Sequence, residues 1–449
     1  MIKVRKMPPD VGATGWNAIL PSRDAYPSLE GKHEADYLII GAGFAGLAAA
    51  RRLSQLEPTA RIIVLEGRKL AEGPAGRNSG FMIDLPHDLS SDDYAGSSSD
   101  NDRRHTAMNR AAIEFAKQAA RDYDLPAEAV AATGKVNAAA TEKGLKHNAD
   151  YAQHLTQLGE RFSMLDAQEM KALTGTEYYQ GGLWTPGTTM LQPAMFVRGV
   201  GAGLQRHATL SLYEQSPVVA LDKQSGTSSW VAKTPEGSVT AGKVVLAVNG
   251  LIEHFGFYSG RLMHLLLFAS MTRPLTPQES KQLGGESRWG LTPADPLGTT
   301  VRRISGTGGD RIVIRNRASY DPGLIASDRE MAAVARTHQQ SFLERFPMLK
   351  QVTMEHCWSG RLCLSLNNVQ AWGELDEGLF SACCQNGLGA AKGTVAGIIA
   401  AEQAAGGKQT LMPDYVPEVQ PKRLPPQPLM RVGANAVLRW KEYRAGREF

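Results

Sequence analysis

Cysteine is scarce in this sequence: 449 residues carry four, Cys357, Cys363, Cys383 and Cys384. None forms a C-x-x-C pair, so neither a zinc site nor a redox dithiol is expected, and four thiols do not make a disulfide framework for so long a chain. Reduced thiols in a reducing compartment fit the pattern. Long apolar runs are missing too. No stretch reaches the roughly 18 uncharged apolar residues of a membrane span. The opening MIKVRKMPPDVGATGW has no apolar core of signal-peptide length, and Pro8 and Pro9 would break a transit helix. A cytoplasmic location without a transmembrane segment is the expectation. Charge of one sign is lacking as well: 49 Lys and Arg stand against 45 Asp and Glu, a formal +4. That is no electrostatic footprint for nucleic acid, and no such partner is expected. With 42% apolar and 7% aromatic residues the composition is ordinary globular usage. At roughly 100 to 200 residues per domain the length allows two to three domains or one large two-domain unit.

What the sequence does contain is glycine at strand ends. Residues 1–33 carry Pro8, Pro9, Pro21 and Pro27 and read as an extended arm. An apolar run at 36–40 then stops at Gly41, GAGFAGLAAARRLSQLEP reads as a helix ending before Pro58, and 61–66 reads as a second buried strand. Inside this βαβ unit Gly41-Ala42-Gly43-Phe44-Ala45-Gly46 matches G-x-G-x-x-G, and Glu66 follows twenty residues after Gly46. Gly41 permits the tight turn, Gly43 lets backbone approach a pyrophosphate, Gly46 allows close helix packing, and Glu66 accepts from a ribose diol. FAD and NAD share this fingerprint. Two further strand ends favour the longer cofactor. Gly76-Arg77-Asn78-Ser79-Gly80-Phe81 offers a guanidinium and polar donors beside the pyrophosphate, and 378–389, GLFSACCQNGLG, runs from a strand into a glycine turn that opens a small-residue helix.

Other glycine clusters read as packing. Gly199, Gly201 and Gly203 fall inside a helical pattern after Pro193, and 306–310 reads as a hairpin turn. The 90–104 stretch reads as a polar loop, with helical patterns to about 122, at 148–162 and at 327–346. Strands are expected at 216–221, 230–234, 243–248, 262–272 and 310–316. After a proline-rich stretch from Pro413 to Pro428, VGANAVLRWKEYRAGREF regains helical spacing, read as a docked terminal helix with a membrane-surface helix as the alternative.

The motifs LIIGAGFAGLAAARRL, GRNSGF, GGLWTPGTTMLQPAMFVRGV, SPVVAL, VVLAVNG, CWSGRLCLSLNNVQAWGEL and LFSACCQNGLGAAKGTVAGIIAAE, in this order, resemble the FAD-dependent D-amino-acid-oxidase/glycine-oxidase superfamily. The closer likeness is to its gamma-glutamylputrescine oxidoreductase-like amine oxidases. The resemblance implies an α/β fold: a Rossmann-type, glutathione-reductase-like FAD-binding domain interleaved with an α+β substrate domain on a mostly antiparallel sheet. The expected division gives 34–105, 191–255 and 355–405 to the FAD-binding domain, 106–190 and 256–354 to the substrate domain, and 406–449 to the tail. FAD contacts are implied for Gly41, Gly43, Phe44, Ala45, Gly46, Glu66, Arg77, Asn78, Ser79 and Gly80. Val218 is implied at the adenine, Ala247, Asn249 and Gly250 near the pyrophosphate, and Gly387, Leu388 and Gly389 under the pyrimidine ring. Two departures stand out. A frequent Ser-Gly-His-Gly is here Asn386-Gly387-Leu388-Gly389, and a usual T-x-D stretch is Ser365-Leu366-Asn367-Asn368. Where some relatives attach flavin through cysteine this chain has Gly360, so noncovalent FAD is expected, with Cys357 as the alternative ligand.

The implied chemistry is oxidation of a C–N bond in a small amine or N-substituted amino acid by hydride transfer to flavin N5, giving an imine that hydrolyses. Oxygen is the implied acceptor; the alternatives are a dehydrogenase passing electrons to a quinone or carrier protein, and a flavin-binding subunit without turnover. No acid–base residue is assigned. Arg302, Arg303, Arg311, Arg315 and Arg317 crowd one strand pair, and alternation puts Arg311, Arg315 and Arg317 on one face. They read either as a carboxylate clamp or as a solvated outer face. Arg361 is an equal candidate for the carboxylate, and Trp184 and Trp358 either wall the site or pack.

Overall fold

Two large sheets and a three-stranded one, of Phe81–Met82, Thr189–Leu191 and Val130–Ala131, make up the fold among the described residues, and the apolar strand before Gly41 lies inside the first large sheet. The computed structural model describes residues 1–9, 12–86, 99–224, 226, 228–407, 409–413, 415–416 and 419–449. Gly31–Ile40 is longer than the apolar run alone and pairs in parallel with Ile62–Leu65 on one side and Gly237–Leu246 on the other. Burial on both faces explains the unbroken apolar run: Leu38, Ile39, Val64, Val244 and Leu246 are buried. Leu210–Tyr213 extends the sheet in parallel beyond Ile62–Leu65, and Leu379–Cys383 adds in parallel to Gly237–Leu246. Trp230–Lys233, Ala220–Lys223 and Ile2–Lys3 continue it antiparallel. The arm is therefore partly sheet. Its first strand forms an edge, and residues 31–33 belong to the central strand.

Helices Phe44–Leu56 and Gly389–Ala404 pack on each other over this sheet. Their contact has no room for a side chain at one point, because a Cβ on Gly397 would strike the carbonyl oxygen of Ala45. Helix Ser99–Asp122 joins the same core through Met108, Ala112, Ile113 and Ala116. Residues 99–104 are thus helical rather than loop, residues 90–98 of that expected loop lie outside the described residues, and the boundary drawn at 105 cuts a helix.

The second sheet has eight strands in the order Met354–Ser365, Leu262–Thr272, Arg311–Tyr320, Thr300–Ile304, Trp289–Pro293, Lys135–Ala139, Gly181–Thr185, Ser163–Asp166. Every pairing is antiparallel except Lys135–Ala139 with Trp289–Pro293. Met354–Ser365 pairs along Leu262–Thr272, so the 355 boundary also shifts: that strand belongs to the second sheet, and Ala371–Asp376 returns to the first. Glycines 199, 201 and 203 pack against Leu125, Leu70 and Tyr123, as helix-packing glycines should.

The terminal helix Gln427–Ala445 docks on the second sheet. Glu442 accepts from the Ala318 amide at 3.1 Å and from Arg317 at 3.0 Å, and Asn435 accepts from the Tyr320 amide at 2.9 Å. Beyond it Glu448 accepts from the Ala140 amide and the Thr141 hydroxyl, each at 2.8 Å.

Within this sheet Lys135 is buried, donating to Asn137 and to Thr292 at 3.3 Å, and burial pulls its pKa down to about 8. Between that value and the ordinary 10.5 the unfolded chain holds a proton the folded chain lacks, so stability rises with pH across this window. Relative to Lys135→Met, the native chain should gain about 3 kcal/mol from pH 7 to 10.5. Denaturant unfolding across that range measures the difference. A flat difference would show that the buried ammonium carries no cost.

Candidate functional site

Two strand-end regions of the first sheet and the 76–80 loop open on one space. At the first, Gly41 has φ +103° and its amide donates to Leu65 at 2.8 Å; a Cβ there would lie 2.7 Å from the Ala247 carbonyl oxygen. A Cβ on Gly46 would collide with the Gly41 carbonyl. Both glycines are demanded by the fold. Gly43 is different: its φ is −85° and a Cβ would meet only the Ala75 methyl at an ordinary 3.5 Å. Nothing in the protein requires glycine at 43, so a ligand's close approach is the remaining reason. No side chain caps the helix that starts at Phe44. Glu66 is buried, accepting from the Ala42 amide at 2.9 Å and the Arg68 amide at 3.0 Å; burial raises its pKa and these two bonds oppose the rise.

The second of the three is the 76–80 loop. Three consecutive carbonyls face donors from distant segments: Arg77 O accepts from Trp358 at 3.0 Å, Asn78 O from Trp16 at 2.8 Å, and Ser79 O from Arg302 at 2.7 Å. The Arg77 guanidinium, expected beside a pyrophosphate, engages the carbonyls of Glu72 at 2.8 Å, Ser359 at 2.6 Å and Gly12. In this arrangement it braces the loop.

At the third, Asn249, Cys384 and Asn386 hold φ of +49°, +58° and +46°, a left-handed conformation that costs non-glycine residues energy and clusters at functional sites. Side-chain amides fix these turns: Asn249 accepts from the Cys384 amide at 3.0 Å and Asn386 from the Ser365 amide at 2.8 Å. Helix Gly389–Ala404 begins beside them without a side-chain cap, and a Cβ on Gly389 would meet nothing within 4 Å.

A cavity of about 280 Å³ joins the three. Of the residues singled out in the sequence, Gly41, Gly43, Phe44, Ala45, Glu66, Arg77, Asn78, Ser79, Val218, Ala247, Asn249, Gly250, Gly387, Gly389, Arg315 and Arg361 line it. Gly46 and Gly80 stand behind the turns, and Leu388 packs with Phe81, Ile83 and Met190. Trp358 is buried against Trp16, and neither it nor Trp184 is among the lining residues. Arg317 is also elsewhere. The pairing of Arg311–Tyr320 slips between Leu267–Ala318 and Phe268–Asn316, leaving Arg317 as an extra residue at φ +60° that pairs with Glu442. That bulge breaks the alternation that would have put Arg315 and Arg317 on one face.

The solvated-face reading of the arginine cluster fails too. Arg302, Arg303 and Arg311 are buried, Arg303 pairing with Asp310 and Arg311 with Glu355. Sequence reasoning missed Val4, Lys6, Pro8 and Pro9, which line the cavity from the arm, Leu267 and Phe268, which line it from the second sheet, and Leu324 in the segment that follows Arg311–Tyr320. The prolines were a usable signal, since Pro8 seats where a Cβ on Gly67 would come within 2.7 Å.

Residues 36–403 match the family described as FAD dependent oxidoreductase. The chain belongs to that family. Probable oxidoreductase OrdL of Haemophilus influenzae is 25% identical over 395 residues, covering 86% of each chain. Gamma-glutamylputrescine oxidoreductase of Escherichia coli is 22% identical over 385 residues, covering 85% of this chain and 86% of that one. Among solved structures, glycine oxidase from Geobacillus kaustophilus superposes with a TM-score of 0.67 at 18% identity, covering 84% of this chain and 96% of its own. This FAD-dependent family accounts for the fold, and the cavity fits its cofactor: two helix N-termini without side-chain caps and two glycines with no structural need for glycine meet there.

A test separates cofactor from fold. Gly43→Ala should leave the melting temperature of the flavin-free chain unchanged while lowering bound flavin about tenfold, read from the flavin-to-protein absorbance ratio, because a methyl there projects into open cavity. Gly46→Ala should instead yield little folded protein.

Proposed function

We propose that the chain oxidises the C–N bond of a small amino acid or N-substituted amino acid bearing a carboxylate. One observation carries the reading: the cavity continues from the nucleotide-type turns to Arg315 and Arg361, and Arg361 holds Nε and Nη1 buried without a hydrogen-bond partner. Burial pulls the Arg361 pKa down to about 10, with Glu66 opposing, so the guanidinium remains cationic at neutral pH. A buried cation with unmet donors calls for an anion.

Bound FAD supplies the two-electron acceptor for hydride leaving the carbon that bears nitrogen. The chain's own residues then have three tasks. Arg361 and Arg315 hold the carboxylate. Leu267, Phe268 and Leu324 give that end of the cavity an apolar wall that excludes water. The two guanidinium charges also disfavour a substrate ammonium and so favour the neutral amine that hydride loss requires. His264 also lines the cavity, its ring paired with Glu253 at 2.6 Å, and no residue is assigned as a base.

Anaerobic addition of an amine and amino-acid panel to the flavin-loaded chain should bleach the flavin, with carboxylate-bearing substrates fastest. Arg361→Met should lower kcat/KM for the best of them about a hundredfold with flavin content unchanged. Loss of flavin instead would assign Arg361 to the cofactor phosphates, and an unbleached flavin across the panel would refute the reading.

The flavin is held without a covalent bond in this proposal. Cys357 packs beside Leu266, Phe268 and Val334 and is not among the lining residues. Cys363 does line the cavity, but its contact with Cys384 and its burial push its thiol well above the usual range, away from the thiolate that attachment needs. Acid precipitation should therefore release all flavin into the supernatant; yellow pellets would overturn this.

A further inference from the structure

The Gln427–Ala445 helix turns one face to the second sheet and leaves the opposite face uncovered. Leu429, Val432, Val437, Trp440 and Tyr443 are 70%, 74%, 52%, 55% and 84% exposed. At 3.6 residues per turn they share, with Gly433 and Ala436, about 140° of arc opposite the buried Glu442 and Ala445. So many exposed large apolar side chains on one helix face are unusual for a soluble monomer.

The charge around this face has one sign. The helix carries Arg431, Arg439, Lys441 and Arg444, and its only acid is Glu442, which is 4% exposed and already held by Ala318, Arg317 and Arg439. Lys422 and Arg423, both exposed, add two more cations just before it. The Arg444 guanidinium lies over the Trp440 ring, 5.2 Å from its centroid, so the cation flanks the apolar face directly. A second copy of the chain laid on this face would oppose arginine with arginine. Acidic headgroups above an apolar layer match both features at once.

We propose that this face docks on an anionic lipid bilayer surface, with the helix lying in the interface plane. Trp440 and Tyr443 then sit at headgroup depth, Leu429 and Val432 reach the acyl boundary, and the arginines keep their charge in the headgroups while burying their stems. Among the described residues no helix is long and apolar enough to cross a membrane, so the contact is peripheral. The helix packs on Arg311–Tyr320, the strand that carries Arg315 to the cavity, so the docking face and the catalytic cavity share one element. The proposal does not depend on which substrate the cavity takes.

The test is cosedimentation of the full-length flavin-loaded chain with vesicles of phosphatidylglycerol and phosphatidylcholine, and with phosphatidylcholine alone. Binding to the anionic vesicles should fall as salt rises. Leu429→Ser/Trp440→Ser/Tyr443→Ser should abolish it, and Lys441→Glu/Arg444→Glu should weaken it at least about 25-fold, roughly fivefold for each basic residue. Leu429, Trp440, Tyr443 and Arg444 are exposed and Lys441 is half-buried, all on the helix and away from the cavity lining, so flavin content and melting temperature should not change. Equal binding to neutral vesicles, or none to anionic ones at low salt, would overturn the proposal. So would a lipid-free dimer in analytical ultracentrifugation that the triple substitution dissociates, since the face would then join two copies.

Discussion

The arrangement depends on how the Arg77–Ser79 backbone is held. Three successive carbonyls accept from Trp358, Trp16 and Arg302, that is, from a strand of the second sheet, from the arm, and from another strand of the second sheet. Backbone carbonyls buried away from water need partners, and these find none in the first sheet. The loop that borders the cavity is therefore held in place only when the arm and the second sheet are docked. The Arg77 guanidinium closes the loop from its other side by donating to Ser359 and Gly12, one from each of those regions. Cofactor site and interdomain packing thus form one structure, and the arm's Trp16 is fully buried because it stands between them.

That interlock explains why the nucleotide-type turns can stay glycine-rich without becoming loose. Glycine loses more conformational freedom on folding than any other residue, so a site built from glycines needs other constraints. Here they come from side-chain amides across the turn, Asn249 to Cys384 and Asn386 to Ser365, and from helix packing too close to admit a methyl at Gly397. The left-handed conformations at Asn249, Cys384 and Asn386 persist because these bonds over-determine them.

How much of this was legible in the sequence follows from the range of each interaction. The Gly41–Glu66 unit was legible because its signals are local: glycine offsets, a strand before, a helix after, an acid in register. The hairpin at 306–310 and the packing of Gly199, Gly201 and Gly203 were legible for the same reason. The position of Arg317 was not, since one extra residue opposite Leu267 and Phe268 reverses the face of everything beyond it, and a bulge leaves no local signature. Domain boundaries failed similarly. Helix Ser99–Asp122 and strand Met354–Ser365 look like generic elements, and only their partners, one on each sheet, assign them.

The arginines show the same limit and give it chemical content. Arg302 and Arg361 are the same residue type on apolar strands of the same sheet, both with pKa values pulled down by burial, to about 9 and about 10. Their surroundings separate them. Arg302 leaves Nε without a partner but donates to the Ser79 and Leu191 carbonyls at 2.7 and 2.9 Å and is covered by the Trp16 and Phe81 rings, so its contacts hold the loop. Arg361 has two nitrogens with no such partner, and it faces the cavity rather than the loop. A desolvated cation left partly unpaired is costly, and that cost is the physical ground on which an anionic ligand is proposed at Arg361. What sequence composition records as a net charge of only +4 is, along the cavity, a lining that carries Lys6, Arg68, Arg77, Arg315 and Arg361 against Glu66 and Glu72.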